Sequence, residues 1–84
     1  MAQRTADIRS GEAFGQVIAD IRSARGLTQA DLAEQSGATR SYLSHVETGR
    51  TTRLLDMMLR ILRVLNARVY IVFDDGKEVT DGES

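Results

Sequence analysis

Arg40, Ser41, Ser44 and His45 share one short stretch with the apolar Leu43 and Val46. On a helix, Leu43 and Val46, three apart, turn inward. The helical period then places Arg40, Ser41, Ser44 and His45 outward. An arginine fork fits guanine O6 and N7, serines bond phosphate or several bases, and a histidine donates to guanine or phosphate. Tyr42 lies at the edge of this face, where it packs or bonds a phosphate through its hydroxyl. Recognition helices touch base edges with their N-terminal residues, which is where Arg40 and Ser41 fall. Other chemistries fit poorly. Ser41 and His45 form an i, i+4 pair, but hydrolysis needs an orienting acid and an oxyanion hole. A metal centre needs more than one histidine when there is no cysteine to help. The reading is non-enzymatic, with no metal and no cofactor.

These side chains need a scaffold, and the flanking sequence describes one. Leu27 to Gly49 reads as two short helices joined by a tight turn. Thr28 is an N-cap with Asp31 at N3, Gly37 ends that helix, Thr39 caps the next and Gly49 stops it. Leu32 and Ala33 face inward, and small Ala33 and Ala38 permit a close crossing. The free backbone N–H groups at Thr28 and Gln29 make a phosphate site. Gln29 can bond that phosphate and a neighbouring reading residue. Arg50 and Arg53, after the reading helix, suit backbone phosphates. Arg22 and Glu47 read as a partly buried ion pair tying the first helix to the third.

Upstream, Ser10 caps a helix whose Phe14, Val17, Ile18 and Ile21 form one apolar face, and Gly26 stops it. A fourth helix, about 54–66, is apolar over far more than the roughly 100° stripe a surface helix needs. Arg68 to Phe73 is β-branched and aromatic and ends at Asp74-Asp75-Gly76, a strand signal. It is the one strand this reading finds. Pairing with the same strand of a second chain is the simplest remedy for its unpaired backbone; Thr5 to Arg9 of either chain is the alternative. The expected fold is mainly α: four to five short helices with a helix-turn-helix, plus that C-terminal strand at a homodimer interface. Met58, Leu62, Leu65, Val69, Tyr70, Ile71, Val72 and Phe73 are the expected interface residues. The expected divisions are a flexible segment 1–9, a DNA-binding domain 10–66, a dimerisation strand 67–74 and a disordered acidic tail 75–84.

At 84 residues and 42% hydrophobic, the chain fits one small domain with a thin core. The absence of cysteine excludes disulfides and thiolate chemistry. No apolar run approaches the roughly 20 residues of a membrane span, so a cytoplasmic protein is expected. Net charge is −1, but it divides unevenly: residues 1–73 carry +3 and residues 74–84 carry −4. The acidic tail masks a mildly basic body whose cations are all arginine, suited to bidentate phosphate or guanine contacts.

The set Thr28-Gln29-Ala30-Asp31-Leu32-Ala33, then Gly37, Leu43 and Glu47-Thr48-Gly49 resembles the helix-turn-helix of the Xre/Cro family. The likeness covers about residues 14–65. It implies an all-helical DNA-binding domain with Gln29, Arg40, Ser41 and His45 at the reading positions, and it supports the Arg22–Glu47 pairing. Residues 55–66, running straight into the strand 69–73, are similar to HipB-type antitoxins. That likeness implies strand pairing across a dimer, repression of the protein's own operon, and binding of a HipA-like Ser/Thr kinase toxin; a dimer in turn should recognise an inverted repeat. Two features depart from the pattern: Asn66 stands where a glycine is frequent, and the tail has no apolar anchor beyond Val79. A stand-alone phage- or plasmid-type repressor, and an interaction module with a degenerate helix-turn-helix, are the alternative functions.

Overall fold

The computed structural model describes residues 3–50 and 53–74. Along the chain run β1 (Gln3–Ile8), α1 (Gly11–Ala24), α2 (Gln29–Ser36), α3 (Arg40–Glu47), α4 (Arg53–Val64) and β2 (Val69–Asp74). The expected tail, 75–84, lies outside the described residues.

Local capping chemistry sets the helix ends. The Ser10 hydroxyl accepts from Ala13 N at 3.0 Å, and Asp56 Oδ1 of α4 accepts from Gly11 N. The orphan amides of α1 are thus satisfied partly by its own cap and partly by a distant helix. Thr28 and Asp31 form a reciprocal capping box, each side chain bonding the other's backbone N–H at 3.0 Å. Thr39 Oγ1 accepts from Tyr42 N at 3.0 Å. Helix α4 closes with Ala67 N on Leu62 O at 2.8 Å and Asn66 N on Arg63 O at 3.0 Å. Asn66 is left-handed at φ 60°, so it takes the place a glycine commonly holds.

Packing is thin, as expected for this size. Among the described residues the buried apolar ones are Ile8, Ala33, Leu43 and Leu59, one each from β1, α2, α3 and α4. Helices α1 and α3 approach so closely that a Cβ on Gly15 would sit 1.9 Å from Val46 O. The intimate crossing is therefore at Gly15, in the middle of α1.

The sheet corrects the sequence reading. β2 is antiparallel to β1 of the same chain, in register from Gln3 opposite Asp74 to Ile8 opposite Val69. The segment read as loose, 1–9, contains a strand, and β2 is not the one strand of the chain. The alternative, pairing with the N-terminal segment of the same chain, is what the chain adopts, over Gln3–Ile8 rather than Thr5 to Arg9. The physical reason is tertiary: a two-residue corner, Arg9-Ser10, joins β1 to α1, a short turn joins α4 to β2, and the bond of Gly11 N to Asp56 ties α1 to α4, so strands far apart in sequence emerge side by side. Among the described residues the sheet has two strands, so each keeps an outer edge with no strand against it.

The expected interface residues separate onto different surfaces. Register puts Val69, Ile71 and Phe73 on the sheet face of Ile8 and Ala6, all three only partly exposed. Tyr70 and Val72 lie on the opposite face, 50% and 61% exposed. On α4, Leu62 is half-buried, whereas Met58 and Leu65 are exposed together with Leu54, Met57, Ile61 and Val64. Those last four belong to the excess apolar surface read from the sequence but not to the expected interface residues. Leu54, Met58, Ile61 and Leu65 fall on one stripe at helical spacing, with Met57 and Val64 beside it.

Candidate nucleic-acid interface

The candidate face is the outer side of α3. Arg40 is its first residue, and Thr39 before it is committed to capping. Arg40, Ser41 and His45 are exposed and Ser44 is half-buried, while Leu43 is buried against the core. The period of the helix thus separates the polar set from the packing set as the sequence reading required. Tyr42 is 56% exposed. It lines an apolar groove with Leu43, Val46, Leu54 and Met58, at the border between the reading face and α4.

Electrostatics favour an anion here. The one carboxylate of α3, Glu47, is turned away and neutralised. Arg22 grips it from α1 through Nε to Oε2 at 2.7 Å and Nη2 to Oε1 at 3.1 Å. Both side chains are largely sheltered, with 18% and 6% of their surface accessible. Arg22 spends a third donor on Leu27 O at 2.7 Å, which fixes the segment entering α2. The guanidinium holds the Glu47 carboxyl below its ordinary range, against the opposing effect of burial; a bond from Gln29 adds to the lowering.

Gln29 has a partner the sequence reading did not name. Its Nε2 donates to Glu47 Oε1 at 2.9 Å, and the residue is half-buried. It belongs to the Arg22–Glu47 cluster, with one amide hydrogen left for a phosphate. That partner is 18 residues away in sequence, and no local pattern announces it. At the start of α2, the capping box consumes Thr28 N and Asp31 N.

Beyond α3, Thr48 bonds the carbonyls of Ser44 and His45 through its hydroxyl, and Arg50 N bonds His45 O at 2.8 Å. The turn is thereby fixed and the Arg50 side chain left exposed. Arg53, at the first position of α4, is also exposed. Arg25, at the C-cap of α1 and exposed, is a further cation near the entry to α2 that the sequence reading did not single out. Among the described residues no cluster of His, Cys, Asp or Glu could hold a metal ion. No helix among them is long and apolar enough to cross a membrane.

The arrangement is two short capped helices, the second presenting arginine, serine and histidine on its outer face. Comparison with known proteins agrees. No solved structure matches the chain. An uncharacterized HTH-type transcriptional regulator of Archaeoglobus fulgidus is 35% identical over 60 residues, covering 69% of this chain and 86% of that protein. The HTH-type transcriptional regulator SinR of Bacillus subtilis is 31% identical over 72 residues, covering 83% of this chain and 65% of SinR. A helix-turn-helix domain family matches residues 13–69, the span from α1 to the start of β2, and the chain belongs to that family.

Proposed function

We propose that the protein is a transcriptional regulator of the Xre kind, placing α3 in the DNA major groove and binding an inverted repeat as a homodimer. The observation that carries the DNA reading is the outer face of α3: Arg40, Ser41 and His45 are exposed, and its one acid is sequestered by Arg22. Arg40 is the residue to contact a base edge, with Ser41, Ser44 and His45 beside it. Thr28, Thr39, Arg50 and Arg53 lie toward phosphates, and Tyr42 at the margin. Direct repression follows when the operator overlaps a promoter.

The homodimer rests on exposed apolar surface. A single copy leaves the α4 stripe from Leu54 to Leu65 in water, together with Tyr70 and Val72. Surfaces of this kind mark contacts with a partner, and a second copy supplies the two-fold symmetry an inverted repeat demands. The antitoxin role rests on the likeness of residues 55–66 and β2 to HipB-type proteins. In that role the dimer also holds a HipA-like kinase, and a kinase-like protein co-purifying from the native operon is its test.

Selection from a random duplex pool tests the DNA reading. The expected product is an inverted repeat with half-sites about one helical turn, roughly 34–36 Å, apart. A pool that shows no enriched sequence over successive rounds would refute specific recognition.

A further inference from the structure

A cleft at the junction of the sheet and α4 takes no part in the DNA-reading face. It is a half-open cleft of about 380 Å3, within the range of small-molecule sites. Its floor is apolar: Ile8 and Leu59 are 3% and 4% exposed, with Leu62 and Val69 beside them. Its rim is cationic, formed by Arg9, Arg63 and Arg68 with the single acid Asp7, a local balance of +2.

The rim is held in place by its own bonds. Arg9 Nε and Arg68 Nη2 both donate to one oxygen, Asp7 Oδ2, at 3.1 and 2.6 Å. Arg63 Nη1 reaches Arg9 O at 2.9 Å, a carbonyl rather than a carboxylate. Arg68 also stands over the Tyr70 ring, 5.7 Å from its centre. One carboxylate thus serves two guanidinium groups, and most of their N–H donors remain available. Planar forks of this type match a carboxylate.

We propose that this cleft binds a small organic carboxylate, its apolar body on Leu62 and Val69, with Ile8 and Leu59 packed beneath, and its charged head on Arg63 and Arg68. Such a ligand bridges the corner after β1, the end of α4 and the turn into β2. It would fasten the sheet to α4, the two elements that bear the exposed apolar surfaces. The binding site stands independently of the DNA-binding reading.

The test is titration of the full chain with octanoate, octanol and inorganic phosphate, followed by amide chemical shifts and thermal unfolding. Octanoate is expected to raise the melting temperature saturably. It should move the amides of Ile8, Arg9, Ala67, Arg68 and Val69 while leaving Ser41 to His45 in place. Octanol, without the charge, and phosphate, without the apolar body, should each bind more weakly. Arg63→Gln and Arg68→Gln should each weaken octanoate by about tenfold, the worth of one hydrogen bond to a charged group. Absence of a saturable shift overturns the proposal, as does phosphate binding as well as octanoate. So does octanoate that moves only Leu54, Ile61 and Val64, which would mean adsorption to the exposed stripe.

Discussion

Arg22 and Glu47 form a two-point fork across the α1–α3 contact, at 2.7 and 3.1 Å, with both side chains sheltered from water. Gln29 bonds the same carboxylate from α2, so one acid fixes the mutual placement of three helices. Removing it strands the Arg22 charge and leaves the Gln29 amide without its partner. Glu47→Ala should therefore destabilise the fold by about 3 kcal/mol, with a fall in melting temperature of roughly 4–8 °C per kcal/mol. Glu47→Gln, which keeps an acceptor oxygen, should cost less. Denaturant unfolding of both variants checks this, and a Glu47→Ala protein as stable as the parent would show the fork to be ornamental.

The same pair dictates a response to acid. The Glu47 carboxyl is held below its ordinary range by Arg22 first and Gln29 second, with burial opposing. A lowered pKa in the folded state means that the stabilisation is complete above the unfolded value, about 4.3 for a glutamate. It is lost as pH falls through the folded value. Stability should accordingly hold at neutral pH and decline below about pH 4.3. In Glu47→Gln that decline should be shallower, as followed by unfolding midpoints across an acid series.

Capping is local, and so the helices were legible: Ser10, Thr28 with Asp31, and Thr39 all cap as their spacing implies. The outward set on α3 followed from the same local period. What the sequence did not disclose is non-local. Gln3 to Ile8 has only Ala6 and Ile8 as apolar residues, and it becomes a strand because β2 lies beside it. The partner of Gln29 is a residue on another helix. Gly15 looks like a weak point in a helix until the Val46 carbonyl is seen against it.

That last contact predicts a mutation. A Cβ at Gly15 would meet Val46 O at 1.9 Å and Val46 C at 3.0 Å, and backbone cannot swing aside as a side chain can. Alanine has the better helix propensity, yet Gly15→Ala should destabilise by about 1–3 kcal/mol through overpacking. Because α3 is the element pushed, operator affinity should fall at temperatures where the variant is still folded. Circular dichroism melts together with binding anisotropy separate the two effects.

Arg40 and Arg50 should fail differently. Arg40 opens the reading helix, so Arg40→Ala should cost about 1–3 kcal/mol of operator binding and relax preference at one base pair. Arg50, exposed in the turn after α3, is proposed to touch phosphate. Arg50→Ala should weaken all sequences alike and lower the slope of log affinity against log salt by about one. Salt titrations on operator and scrambled duplex distinguish these patterns; identical behaviour of the two variants would contradict the assignment.

Ile61 offers the cleanest test of the α4 stripe. It is 52% exposed in the single chain, so replacing it with glutamate should change the fold of an isolated copy by no more than about 0.5 kcal/mol. In a dimer joined through α4 the same glutamate would be buried without a partner, a strongly unfavourable state. Ile61→Glu should therefore sediment as a folded monomer at concentrations where the parent is dimeric. It should retain weak binding to a half-site and lose the gain from a full inverted repeat. If the variant still sediments as a dimer, the joint lies elsewhere, and the outer edge of β2 becomes the surface to alter next.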